Sequence, residues 1–297
     1  MGMWDGIDQY QFFESILFET FGKSVEVIDV RFVAGGSINT AARVLTPEGT
    51  FFVKFNHAEK EDMFEKEACG LALLRNTNAI HIPEVYGYGK NGGRAYLIQE
   101  FVENGGQRPD FWQTFGRSLA ELHSHTQSFF GLNFDNYLGS LEQNNTFYVN
   151  GIDFFVEKRL RPQAGLALYN NLIGPDLYSR LERFYPLLKN LLPAEAPALI
   201  HGDLWSGNFI INEHGRVSLI DPAPYYGFRE VELAFTHLFG GFDDEFYENY
   251  QESFPLEPHF EARIPIYNLY PLLVHVNLFG RSYLPPVERL VKRYVGA

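Results

Sequence analysis

Cysteine is nearly absent from the chain. Cys69 stands alone in 297 residues, which rules out an internal disulfide and leaves no cysteine set for a zinc centre. In its helical-looking segment it reads as a small, buried apolar side chain. Basic charge is scarce too: 24 Lys and Arg against 37 Asp and Glu give a formal net charge of −13. A nucleic-acid binder needs a basic surface to displace counterions, so that class is set aside. The acidity is compatible with a cationic substrate, but it reads first as ordinary surface charge. No apolar run approaches the ~20 residues of a membrane span. The opening MGMWDGIDQYQFFES lacks the basic-then-apolar order of a secretory signal. A cytoplasmic protein is expected. No GxxxxGK[ST] occurs, which removes the P-loop nucleotidases, and there is no internal repeat or low-complexity tract.

What is present suits a globular core: 45% hydrophobic and 21% charged residues, in a length that fits one large domain or two closely joined ones. Residues 7–21 carry apolar side chains at helical spacing. VEVIDVRFV (25–33), TAARVLT (40–46) and TFFVKFN (50–56) read as strands joined by a glycine turn and by a Pro-Glu-Gly turn at 47–49. Residues 60–75 read as a helix with Phe64, Ala68, Leu71 and Leu74 on one face, and 84–89 and 94–101 as two further strands. The first hundred residues thus predict a small, mostly antiparallel sheet with one inserted helix. The polar stretch Glu103-Asn104-Gly105-Gly106-Gln107 reads as a hinge. Beyond it come a helix over 110–126, a loop-rich region to about 150, helical segments at 152–170 and 176–192, short strands ALI, FIIN and VSLI, and a mainly helical remainder. The expected division is 1–103 and 104–297.

The chemistry concentrates in LIHGDLWSGN (199–208) and SLIDPAP (218–224), where His201, Asp203, Asn208 and Asp221 lie around short apolar strands. Asp203 and Asn208, five residues apart, have the spacing of a phosphotransferase catalytic loop, in which the Asp accepts the proton of the attacking hydroxyl and the Asn amide oxygen holds Mg²⁺. Asp221, at the end of the next strand, supplies a second hard oxygen. Each Asp alone reads as a turn cap; the three at these spacings point to phosphoryl transfer. Such a site needs a strand lysine for the α/β-phosphates and a helix glutamate to hold it. Lys54 in TFFVKFN fits, although a lone strand lysine also reads as a snorkelling edge residue. Of Glu61, Glu65 and Glu67 on the next helix, Glu67 lies near the apolar face while Glu65 projects about 200° away, so Glu67 is the expected partner. The turn carrying Gly35, Gly36 and Ser37 can lay backbone N–H groups over phosphates. By position, the Glu100 carbonyl and the Val102 N–H are expected to bond the adenine edge of ATP.

With those residues in hand, the chain resembles the fructosamine kinase (ketosamine-3-kinase) family, a branch of the protein-kinase-like fold near the aminoglycoside and choline kinases. HGDLWSGN (201–208) resembles the family's catalytic loop, with Trp205 its more specific mark. LIDPAPYYGFREVELA (219–234) is similar to its metal-binding strand and the segment after it. DNYLGSLEQNN (135–145), FFVEKRL (154–160) and HVNLFG (275–280) resemble signatures of the second lobe, and MFEKEACGL (63–71) its bridging helix. The resemblance implies an α+β, two-lobed fold: a small antiparallel β lobe with one helix, then a mainly helical lobe. It implies ATP- and Mg²⁺-dependent phosphorylation of the 3-hydroxyl of a ketosamine, free or protein-bound, whose 3-phosphate then eliminates and frees the amine. Asp203 would be the base, Asn208 and Asp221 the Mg²⁺ ligands, and Lys54 with Glu67 the phosphate contact. Trp205 would wall the sugar, or else pack within its loop; His275 would line the same pocket, or else be a buried structural histidine.

The chain departs from the family pattern at four places. Ser37 replaces the cysteine of some members, so redox control there is not expected. Glu232 stands where an aspartate is usual and reads as a helix or loop support of small effect. Pro271 and Val274 differ in the 275–280 neighbourhood and would shift sugar or amine preference if they touch substrate. The alternatives are a kinase of another small alcohol, such as an aminoglycoside or choline, and a pseudokinase acting as a binding module. The full set Lys54, Glu67, Asp203, Asn208 and Asp221 argues against the pseudokinase. DDEFYE (243–248), the acidic stretch an aminoglycoside site would want, reads as a surface helix.

Overall fold

The computed structural model describes residues 6–33, 39–57, 60 and 62–296. The glycine turn with Gly35, Gly36 and Ser37 lies outside them. In chain order the elements are α1 (Gly6–Phe21), β1 (Asp29–Val33), β2 (Thr40–Thr46), β3 (Gly49–His57), α2 (Met63–Arg75), β4 (Val85–Asn91), β5 (Arg94–Glu100), α3 (Phe111–His123), β6 (Asn136–Leu138), β7 (Leu141–Gln143), α4 (Gly151–Phe155), α5 (Arg161–Tyr169), α6 (Pro175–Phe184), β8 (Ala198–Ile200), β9 (Phe209–Ile211), β10 (Val217–Leu219), β11 (Tyr225–Gly227), α7 (Arg229–Thr236), α8 (Asp244–Ser253), α9 (Phe260–Tyr267), α10 (Leu269–Phe279) and α11 (Leu284–Val295). Among the described residues no helix is long and apolar enough to cross a membrane.

The chain forms two compact units, Met1–Arg108 with Ile210–Ile220, and Pro109–Phe209 with Asp221–Ala297. The first unit therefore runs past residue 103 and takes back a hairpin from the second half of the sequence. That recapture has a local cause. The Leu219 N–H donates to the His81 carbonyl at 3.0 Å, the Gly105 N–H donates to the Ile211 carbonyl at 2.9 Å, and His81 Nδ1 bonds Ser218 Oγ at 2.7 Å. A Cβ on Gly105 would stand 2.2 Å from the Asn212 carbonyl oxygen, so the close approach needs glycine.

In the first unit the sheet runs β1-β2-β3-β5-β4, with antiparallel pairing throughout. Phe12, Phe13, Ile16 and Leu17 of α1 pack on Ala42, Val44, Phe51, Val53, Phe55, Tyr96 and Ile98. Each such side chain, fully buried, stabilises by about 1.5–3 kcal/mol relative to exposure. Successive strand residues face opposite sides. With Phe51, Val53 and Phe55 on the α1 core, Lys54 faces the other side. On α2, Phe64, Ala68, Leu71 and Leu74 are buried as their spacing predicts. Cys69, however, is exposed, against the expected burial: it lies on the stripe of Glu65 and Ala72, both exposed, about 100° round from Ala68. Of the strand expected over 25–33, β1 covers only Asp29–Val33; ahead of it the Ile28 N–H donates to the Leu45 carbonyl at 2.8 Å, and Val25 and Val27 are buried.

In the second unit α3 buries Phe111, Phe115, Leu119 and Leu122 and packs on α8. The contact centres on Gly116, where a Cβ would meet the Phe246 carbonyl oxygen at 2.3 Å. The acidic stretch 243–248 lies on a surface helix, as expected: α8 buries Phe246 and Tyr250 and leaves the carboxylates outside. The region expected to be loop-rich contains the β6–β7 hairpin. A further strand, β11, pairs antiparallel with β8, Tyr225 opposite Ile200 and Gly227 opposite Ala198.

Candidate active site

Lys54 pairs with Ala41 on one side and Leu97 on the other, so it sits in a central strand and not at an edge. A lysine there needs an anionic partner. Glu67 Oε1 accepts from Lys54 Nζ at 2.5 Å, with both side chains largely buried, while Glu65 faces solvent. Glu100 closes β5 opposite Phe51. Its carboxylate accepts from the Glu84 N–H at 3.0 Å and lies 3.4 Å from His81 Nε2. Val102 follows just beyond the strand and is buried.

The second unit carries the loop between β8 and β9. Asn208 Nδ2 donates to the Asp203 carbonyl and to Asp203 Oδ2, both at 2.8 Å. Burial pushes the Asp203 carboxyl well above the usual carboxylate range; the Asn208 hydrogen bond opposes this, and the negative charges of Asp221 and Glu232 reinforce it. Asp221 is near enough to Asp203 for its charge to be felt there. It lies two residues past β10 at φ 57°, a left-handed conformation that aspartate tolerates better than most residues. Gly202 at φ 84° turns the loop, and a Cβ there would stand 2.0 Å from the Ala223 carbonyl oxygen.

The loop is held from behind by a residue whose weight the sequence did not reveal. Glu232 on α7 is 2% exposed. Its Oε1 accepts from the Gly202 N–H at 2.7 Å, and its Oε2 accepts from the His201 N–H at 3.1 Å and from His123 Nε2 at 2.9 Å. His123 Nδ1 in turn bonds the Tyr250 hydroxyl at 2.8 Å, and Arg229 reaches that hydroxyl at 3.4 Å. The Glu232 carboxylate is thus the common acceptor, taking the two loop N–H groups on one side and His123 on the other. Burial alone would raise the Glu232 pKa, but the His123 hydrogen bond, the charges of His123 and His201 and the Gly202 N–H bring it below the usual value. The expectation of a small effect at this position is at odds with that geometry.

Trp205 and His275 both pack on Phe239, with ring centroids 5.9 Å and 4.9 Å from it. Phe239, in the segment after α7, carries no signal in the sequence that marks it for this place. The Trp205 indole also lies over Gly207, where a Cβ would meet the ring at 2.4 Å. His275 Nδ1 donates to the Pro271 carbonyl at 2.7 Å, which leaves Nε2 as the acceptor of the neutral ring. Burial lowers the His275 pKa against that bond. Pro271 and Val274 are buried within α10.

The donor set fits a magnesium ion carried on a nucleotide. Asn208 gives its NH₂ group to Asp203, which leaves Oδ1 as a hard oxygen donor, and Asp221 brings a carboxylate. Mg²⁺ takes one or two carboxylates and completes its shell from phosphate and water, so these two protein oxygens match its needs.

The fructosamine kinase family model matches residues 9–297. A Synechocystis protein designated a probable ketoamine kinase is 39% identical over 276 residues, 93% of each chain. The chloroplastic protein-ribulosamine 3-kinase of Oryza sativa subsp. indica is 38% identical over 284 residues, 93% of this chain and 81% of that one. A solved structure of a candidate fructosamine-3-kinase from Haemophilus somnus 129PT superposes with a TM-score of 0.85 at 31% identity, covering 95% of this chain and 96% of that one. An aminoglycoside phosphotransferase matches at a TM-score of 0.64 with 16% identity, a likeness of fold.

Proposed function

We propose that this chain, which belongs to the fructosamine kinase family, transfers the γ-phosphoryl group of ATP to the 3-hydroxyl of ketosamines, the fructosamine and ribulosamine class. Asp203 orients the hydroxyl and accepts its proton as the oxygen bonds to the γ-phosphorus; the bond to the bridging oxygen breaks and ADP leaves. Lys54, held by Glu67, contacts the nucleotide phosphates. Gly35, Gly36 and Ser37 cover them, and the Glu100 carbonyl and Val102 N–H take the adenine edge. Asn208 Oδ1 and the Asp221 carboxylate are the ligands for Mg²⁺, which when bound offsets charge developing on the phosphates. Trp205 and His275 line the sugar side. The 3-phosphate ester then eliminates and frees the amine. A free or protein-bound acceptor and a cytoplasmic setting belong to the same proposal; the single cysteine fits a reducing compartment.

What supports the reading most is the grip of Asn208 on both the carbonyl and the carboxylate of Asp203. In one contact it would hold the base and leave the amide oxygen as a ligand for a cation. The test is calorimetry with paired turnover. Asp203→Asn should bind Mg·ATP as the parent does and lose turnover, whereas Asp221→Ala should lose Mg²⁺-dependent nucleotide binding. An active Asp203→Asn enzyme would remove Asp203 as the base.

A further inference from the structure

The signatures at 135–145 and 154–160 have no part in the chemistry above, yet they build one buried polar network. Asn136 and Gln143 are each 3% exposed, and Asn145 and Arg159 are 0% exposed. Gln143 Nε2 donates to the Ala223 carbonyl at 3.1 Å and to Asn136 Oδ1 at 2.8 Å. Asn136 Nδ2 donates to the Pro224 carbonyl at 2.8 Å. Asn145 Nδ2 donates to Asn136 Oδ1 at 3.0 Å, and Asn145 Oδ1 accepts from Arg159 Nη2 at 2.6 Å. The Tyr270 hydroxyl donates to Gln143 Oε1 at 2.6 Å. The Arg159 guanidinium lies 3.8 Å from the Tyr225 ring centroid, a cation–π contact that helps hold a charge so deeply buried.

The network ends on two successive carbonyls, Ala223 and Pro224, in the strap between Asp221 and β11. Pro222 and Pro224 have no N–H, so the strap has few backbone handles. The Ala223 N–H donates to the His201 carbonyl at 2.9 Å, and the Ala223 carbonyl presses on Gly202. Gln143 and Asn136 grip the Ala223 and Pro224 carbonyls. Where they place the strap, they place Asp221 at one end and the backbone of residues 201–202 alongside.

We infer that Asn136 and Gln143, backed by Asn145, Arg159 and Tyr270, are positioning residues that set the register of Asp221 against the catalytic loop. This rests on the reading of Asp221 as a metal ligand. A purely structural network would cost stability when cut and leave ligand affinity alone, so the two roles separate by experiment.

The measurement is binding of Mn²⁺·ADP by titration calorimetry beside thermal unfolding, on the full chain and four variants. Leu181→Ala, in the buried face of α6, is a destabilised control. Gln143→Met and Asn136→Asp each remove a donor to the strap, the second at nearly constant volume. Asp221→Ala is the reference for loss of the ligand. Gln143→Met and Asn136→Asp should weaken Mn²⁺·ADP binding about tenfold or more, the scale of lost partners behind metal ligands, while Leu181→Ala loses unfolding temperature and keeps its affinity. Affinity within about twofold of the parent in Gln143→Met and Asn136→Asp, with binding lost in Asp221→Ala, overturns the positioning role alone. Unchanged affinity in Asp221→Ala overturns the ligand assignment and the inference with it. If Gln143→Met does not fold, Asn136→Asp decides by the same criterion.

Discussion

Glu232→Gln changes one atom type and almost no volume. The carboxylate accepts hydrogen bonds from Gly202, His123 and His201 at 2.7, 2.9 and 3.1 Å. An amide in its place offers one acceptor and one NH₂ group. The less costly orientation keeps the oxygen on His123 and His201, the two donors that share Oε2, and turns the NH₂ towards the Gly202 N–H. A hydrogen bond to a charged group is then lost, about 1.5–3 kcal/mol, and a buried donor is left unpaired, about 1–3 kcal/mol more. A loss of about 3–5 kcal/mol, the scale of a broken buried pair, is the expected fall in unfolding free energy by urea titration. The facing N–H groups also push the loop away from Asp203's working position, and a displacement near 1 Å is worth about 100-fold in rate. Turnover should therefore drop by that order. Glu232→Asp keeps the charge and should recover part of both losses. Unfolding free energy and turnover for Glu232→Gln within about 0.5 kcal/mol of the parent, the scale of a bland surface change, would refute the argument.

The other expectations are shorter. Lys54→Met removes the partner of a largely buried carboxylate; it should cost about 3 kcal/mol in stability and also weaken ATP binding, read by calorimetry, whereas Glu65→Gln, at an exposed position, should do neither. Gly202→Ala would force a Cβ to 2.0 Å from a backbone oxygen at φ 84°; a loss of about 2–4 kcal/mol is expected in urea unfolding. Glu232 titrates below its ordinary value in the fold, so its charge adds stability above the ordinary glutamate range, and that stability is lost as pH falls through the lower folded value. The stability gap between the parent and Glu232→Gln should accordingly narrow on acidification; a gap that widens would contradict the sign.

What the sequence reveals follows from which signals are periodic. The faces of β3 and α2 repeat every two and every 3.6 residues, and so, once a phosphotransferase site calls for a strand lysine and a helix glutamate, spacing picks Glu67 over Glu65 as the partner of Lys54. The same helix misleads at Cys69: its apolar neighbours suggest burial, but it shares a stripe with Glu65 and Ala72 on the exposed side. The three-residue strands β6, β7 and β11 are too short to show alternation, and two prolines precede β11. His123 lies 109 residues before Glu232 and 127 before Tyr250, the three sit on separate helices, and each looks like an ordinary helical residue there. Only the fold aligns them behind the loop. Asn136 and Gln143 are visible as part of a family signature, but their bonds to Ala223 and Pro224 span 80 residues or more in sequence, a distance no local pattern records.

The central claim is the reaction itself, and ADP release in a coupled assay tests it most directly. A ribulosamine, a fructosamine and an aminoglycoside are offered in parallel, with Asp203→Asn as the control. The account predicts turnover on at least one ketosamine that disappears in Asp203→Asn. No turnover on either ketosamine, with turnover on the aminoglycoside, would contradict the substrate while leaving the phosphotransferase fold in place.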